Sequence, residues 1–190
     1  MWRVEPAASP VTRMAWLVGL GLMPLVSIVL HRDDRRELGL GLRGIGRSAL
    51  EVGTMTLAGS FLIAAVAIGA GRRQGSIDAW PLLPGYFVWG FLQQFALQAF
   101  VHRRLGQALA HPHLAAATAS VLFGSLHLPN PVLAPATTLA GFVWASLYAR
   151  KPNLWTLAAS HAWLAALVLA TLPPEWVHNL KVGPGYLTWN

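Results

Sequence analysis

Four side chains have the types and positions to do chemistry together: Gln93, Gln94, His127 and His161. Gln93 and Gln94 lie in FLQQFALQAFVHRRL, Phe91 to Leu105, a helix-length and otherwise apolar stretch that ends in His102, Arg103 and Arg104. His127 closes FGSLH, four residues after Phe123 and so on the same helical face. His161 sits in ASHAW, in the middle of the last apolar stretch. Amides and imidazoles at such depth cost free energy unless something satisfies them, so they face a bundle interior or a watery cavity. An imidazole can take up or release a proton near neutral pH, and an amide can polarise or position a carbonyl.

The elements that must position these groups follow from composition. Of 190 residues, 55% are hydrophobic and only 11% charged, with a mean hydropathy of +0.49. That is far too apolar for a soluble domain of this length. The expected fold class is all-α, a polytopic membrane helical bundle of about six transmembrane helices. The expected spans are Met14–Leu30 with Pro24 inside it, Ser48–Ala70, Tyr86–Leu105, Ala115–Leu128, Val132–Tyr148 and Leu154–Leu172. Pro129-Asn130-Pro131 stops the fourth, and Pro173-Pro174 stops the sixth. Residues 1–190 are expected to form a single integral membrane domain, with 173–190 as an extramembrane tail. At a rise of about 1.5 Å per residue, Gln93, Gln94 and His161 fall midway along their spans and His127 in the last turns of its own.

The remaining polar residues have plainer readings. His102, Arg103 and Arg104 are expected to snorkel to the membrane surface. His111 and His113 are expected as solvated loop residues, and Glu51 as an interfacial charge. The chain has no cysteine, which removes disulfides, thiolate metal sites and a cysteine nucleophile. The net charge of +7 comes from short clusters between apolar spans, which implies anionic lipid headgroups and not nucleic acid. The loops after spans one, three and five hold nine basic residues (Arg32, Arg35, Arg36, Arg43, Arg47, Arg103, Arg104, Arg150, Lys151), against five elsewhere (Arg3, Arg13, Arg72, Arg73, Lys181). By the positive-inside rule both termini lie outside the cytoplasm, with a bacterial inner membrane as the expected location.

At its polar residues the chain resembles the CPBP family of intramembrane proteases, which includes the CAAX prenyl proteases and bacteriocin-processing enzymes. The family pattern is Glu-Glu with an Arg four positions after the second Glu, then Phe-x-x-x-His, then a His followed four residues later by Asn or Asp. Phe123 and His127 match the second motif and His161 opens the third, while RELGL at Arg36–Leu40 and GFVWASLYARKPNLWTLAASHA at Gly141–Ala162 also look like family sequence. The resemblance covers about Arg36 to Thr171. Gln93 and Gln94 stand at the glutamate positions, Gln98 at the arginine position and Ala165 at the last polar position.

The resemblance implies an intramembrane endopeptidase acting on a membrane-associated peptide or protein, with candidate catalytic residues Gln93, Gln94, His127 and His161. Candidate substrate contacts are Gln98, Phe123 and Asn130. A carboxamide is scarcely basic, so replacing a glutamate base typically costs about 10²- to 10⁴-fold in rate. That leaves a second reading open, a protease-like scaffold that binds a membrane peptide or lipidated segment without cutting it. A metal ion at His127 and His161 is the less favoured reading, because two imidazoles without a carboxylate make a thin shell. Membrane lipids are the other expected partners.

Overall fold

The computed structural model describes residues 10–71 and 78–187 of the chain, and among them it is all-helical. Two compact units divide it, Met1–Asp34 and Arg35–Asn190. In the first, helix α1 runs Pro10–His31 with Pro24 inside it. Its last turn closes with His31 Nδ1 at 2.9 Å from the Ser27 carbonyl, and Arg32 leaves the helix at φ 52°.

The second unit begins with a loop and then α2, Ile45–Gly69. A 3-10 turn at Trp80–Leu82 leads into α3, Leu83–Gln94. That helix continues without a break through a π-helical segment, Phe95–His102, into α4, Arg103–Ala108. Next come α5, Pro112–Ser125, α6, Leu133–Arg150, and α7, Leu154–Thr171. The short helices α8, Pro174–Val177, and α9, Pro184–Leu187, flank a 3-10 turn at His178–Leu180.

Helices α2 and α7 are each long and apolar enough to cross a bilayer. The outward surface is apolar as well: Leu50, Phe61 and Ile68 on α2 are more than 70% exposed, and Val88, Trp89 and Leu92 on α3 more than half. Large side chains cover the outside while alanines fill much of the interior, including Ala115, Ala119, Ala145, Ala158 and Ala166. A water-soluble bundle would arrange these the other way, and this chain is an integral membrane helical bundle.

Small residues set the helix contacts. Helix α7 packs against both α2 and α3, and α5 pairs with α6. A Cβ on Gly124 would collide with Thr138 Oγ1 and come within 2.7 Å of the Ala134 carbonyl, so α5 and α6 touch backbone to backbone there. Gly141 lies against Phe123 and Ser120, and Gly90 against His161.

Polar contacts then fix the ends. The RELGL loop docks on the turn between α6 and α7: the Leu154 amide donates to the Gly39 carbonyl (2.9 Å), Trp155 Nε1 to the Leu40 carbonyl (3.0 Å) and Tyr148 Oη to the Glu37 carbonyl (3.2 Å). Asn153 caps α7 by accepting from the Thr156 amide at 3.0 Å, while its Nδ2 donates to the Gly41 carbonyl at 3.2 Å. Ser48 Oγ and Thr156 Oγ1 pair at 2.9 Å and tie α2 to the same turn. At the opposite ends of α2 and α7, Val177 and Leu172 cluster with Ala67.

Two sequence expectations change. Helix α5 ends at Ser125, so His127 lies in the turn that follows it, because the prolines at 129 and 131 end the ladder early. His102 does not snorkel. It is only 6% exposed, because the π segment turns it inward.

Gly39 has φ 71°, and a Cβ there would sit 2.9 Å from the Asn153 amide nitrogen. Gly39→Ala is therefore expected to destabilise the bundle by at least about 1 kcal/mol. Gly46→Ala, in open space on α2, should leave the thermal midpoint in detergent unchanged or slightly higher.

Candidate active site

The site grows from one face of the helix that runs through α3, the π segment and α4. Gln94, Gln98 and His102 are four residues apart, and all three are buried. In a regular α-helix that spacing drifts by about 40° per step. A spacing of four still keeps the three on one side of the helix, which is π-helical between Phe95 and His102. Gln98 Nε2 donates to Gln94 Oε1 at 3.2 Å, and Gln94 Nε2 lies 3.4 Å from His161 Nδ1 on α7. Gly90, one turn before Gln94, permits this: a Cβ there would stand 3.3 Å from His161 Cβ and Cγ.

Aromatic rings hold the imidazoles. Trp144 of α6 stacks on His161 with ring centroids 5.1 Å apart and planes at 17°. Phe123 of α5 meets both histidines edge-on, His127 at 4.8 Å and His161 at 6.0 Å. His127 Nδ1 lies 2.8 Å from the Phe123 carbonyl. Trp144 is itself fixed by Nε1 donating to Ser160 Oγ at 3.1 Å, and Thr56 Oγ1 of α2 donates to the same oxygen at 2.7 Å.

Beside this cluster an apolar cleft of about 840 Å³ opens between α2, α3 and α7, lined among others by Val52, Thr56, Phe87, Ser160 and Trp163. It does not contain the histidines. Ser160 belongs both to its wall and to the Trp144–His161 cluster, so the two adjoin.

Of the sequence candidates, Gln94, Gln98, Phe123, His127 and His161 come together. Gln93 does not join them: about 100° around the helix from Gln94, it is half-buried and forms no hydrogen bond among the described residues. Asn130 is fully buried, but its amide is committed to the protein. Nδ2 donates to the carbonyls of Val177 (3.0 Å) and Lys181 (3.2 Å), and Oδ1 accepts from the amides of Val132 and Leu133. It anchors the tail and has no polar atom left for a substrate. Glu51 pairs with Lys151 and, at 3.8 Å, with Arg150. Arg103 pairs with Glu37 at 2.5 Å. Trp144 and Ser160 were not legible as site residues, since nothing in their spacing marks them. The repeat of four that links Gln94, Gln98 and His102 was a readable signal.

The family model for type II CAAX prenyl endopeptidases, Rce1-like, matches residues 73–167. That stretch is half of the chain and contains all of the gathered residues. The chain belongs to the Rce1-like CAAX prenyl endopeptidase family. No curated protein and no solved structure matches it. Gln94 and Gln98 are hydrogen-bonded to each other and form a neutral amide pair within the matched stretch.

A resident metal ion does not fit the donors at this site. His161 Nδ1 faces an amide and His127 Nδ1 a carbonyl, which leaves one ring nitrogen on each, and no group of three metal-binding side chains occurs among the described residues. Two imidazole nitrogens fall short of the three or four protein ligands that a zinc site uses.

Gln94 stands between two partners and Gln98 has one, with its own Oε1 buried and unpartnered. Gln94→Met leaves both Gln98 Nε2 and His161 Nδ1 without partners and is expected to cost about 1–3 kcal/mol. Gln98→Met removes an unpartnered acceptor as well as one bond, so it should cost less. Thermal unfolding of the two variants in one detergent checks the order.

Proposed function

We propose that this chain is a slow, histidine-centred intramembrane endopeptidase, acting on a peptide bond of a membrane-associated peptide or protein. The observation that carries the reading is the hydrogen bonding of the two rings. With Gln94 Oε1 taken by Gln98, Gln94 Nε2–H faces His161 Nδ1, so the His161 proton belongs on Nε2. The Phe123 carbonyl accepts from His127 Nδ1–H, so the His127 lone pair belongs on Nε2. One ring is thereby set as a base and the other as a donor.

The chemistry follows from that division. His127 Nε2 takes a proton from water as its oxygen attacks the scissile carbonyl, and His161 Nε2–H donates to the oxyanion that forms. Collapse of the tetrahedral intermediate breaks the C–N bond, and the imidazolium of His127 returns its proton to the leaving amine. The cleft between α2, α3 and α7 would hold the apolar part of the substrate. Without a carboxylate base the rate is expected to fall about 10²- to 10⁴-fold below that of a glutamate enzyme. The bias of basic residues favours both termini on the non-cytoplasmic face of the membrane.

One observation favours a second reading, a scaffold that binds a membrane peptide or lipidated segment without cutting it. The amides at Gln94 and Gln98 bond to each other and hold no charge at the centre of the site.

Cleavage of membrane-anchored peptides by the full chain in bilayers separates the readings. The endopeptidase reading expects slow cleavage that His127→Ala abolishes. It also expects Gln94→Glu to lower the rate, because a carboxylate beside Nδ1 draws the His161 proton there and removes the donor at Nε2. A rise in rate with Gln94→Glu, or cleavage indifferent to His127→Ala, would overturn histidine-centred catalysis. Binding without any cleavage would leave the scaffold.

A further inference from the structure

Away from the histidines, at the end of the bundle where α2 and α7 begin, lies a second concavity of about 350 Å³. Arg36, Arg43, Arg47 and Lys151 line it, with Ser48 and Asn153 among its remaining walls. No acidic residue lines it. Glu51 pairs with Lys151 and is shared with Arg150. Arg43 and Arg47 have no acidic partner among the described residues.

The backbone adds to this excess of positive charge. Gly44 caps α2 at φ 78° without a side-chain hydrogen bond, and the first turn of that 25-residue helix contains no acid. The amides of a helix N-terminus carry partial positive charge, which an acidic side chain commonly offsets. Here Arg47 lies in the first turn and Arg43 immediately before the cap. Like charges gathered into one hollow repel one another, and among the described residues no acidic side chain pairs with Arg43 or Arg47. The floor is rigid, since Ser48 is bonded to Thr156 and Asn153 to the Gly41 carbonyl and the Thr156 amide.

We infer that this hollow binds a phosphate group, gripped by Arg43 and Arg47 and neutralised further by Lys151. Guanidinium forks match phosphate oxygens two at a time. The hollow lies where the membrane-crossing α2 begins, which is the level of phospholipid headgroups. An anionic phospholipid is the source this location favours, and free inorganic phosphate is the other source with the same chemistry. The site shares no residue with the histidine cluster and does not depend on whether the chain cuts peptides.

Native mass spectrometry of the full chain, released from detergent with phosphatidylglycerol, phosphatidylcholine or inorganic phosphate added, tests the inference. Phosphatidylglycerol is expected to stay bound better than phosphatidylcholine, and Arg43→Gln or Arg47→Gln to weaken its retention by about tenfold each. Arg104→Gln, an equal loss of charge away from the hollow, should change nothing. Arg43 and Arg47 are exposed and Arg104 is half-buried, and circular dichroism confirms that each variant is folded. Retention of inorganic phosphate alone, lost in the same two variants, would support the site and assign it to the free ion. Retention of both ligands unchanged by Arg43→Gln and Arg47→Gln, or weakened as much by Arg104→Gln, would overturn it.

Discussion

The contact between α3 and α7 at Gly90 is the constraint on which the rest of the site depends. In a membrane bundle the polar side chains of one helix have to find partners on another, because the surrounding hydrocarbon offers none. Gly90 lets the His161 side chain come close enough for Gln94 to reach Nδ1, and Gln94 in turn accepts from Gln98 Nε2. A larger residue at position 90 would press on His161 and break its bond to Gln94, leaving His161 Nδ1 and Gln94 Nε2 without partners, while the Gln98–Gln94 bond within the one helix would remain. The apolar packing tolerates small shifts, whereas the hydrogen bonds at 3.2 and 3.4 Å do not.

Two clamps at opposite ends of the bundle hold that contact in place. At one end the RELGL loop is pinned to the α6–α7 turn by the carbonyls of Glu37, Gly39, Leu40 and Gly41, and Asn153 connects the loop to the first turn of α7. At the other, Asn130 binds the tail through two carbonyls, and the Gly183 amide donates to the Leu128 carbonyl at 2.9 Å. The second clamp lies next to His127, so the tail supports the turn that carries this ring. It gives residues 173–187 a structural role that their composition did not suggest.

An amide at position 94 differs from a carboxylate in which atoms carry protons more than in shape. A carboxylate only accepts, whereas a carboxamide donates from one end and accepts at the other. Gln94 uses both ends, which is why the polar column from His161 to Gln98 can be neutral and still bonded. Burying a charge there would require a counter-charge or water, whereas the neutral pair leaves only Gln98 Oε1 without a partner.

By itself the sequence determined the fold class, the family and most of the cast. Its apolar content dictated a membrane bundle, and Phe123, His127 and His161 stood at family spacing, because hydrophobic length and motif spacing are properties of the chain read in one dimension. Which glutamine would turn inward was decided by tertiary structure: adjacent residues on a helix point about 100° apart, and only the position of α7 selected Gln94. The π segment that brings His102 into the interior, the Trp144 ring on His161 and the capture of Asn130 by the tail likewise depend on helices distant in sequence. Each is a matter of which surface meets which partner, and that is settled only when the bundle packs.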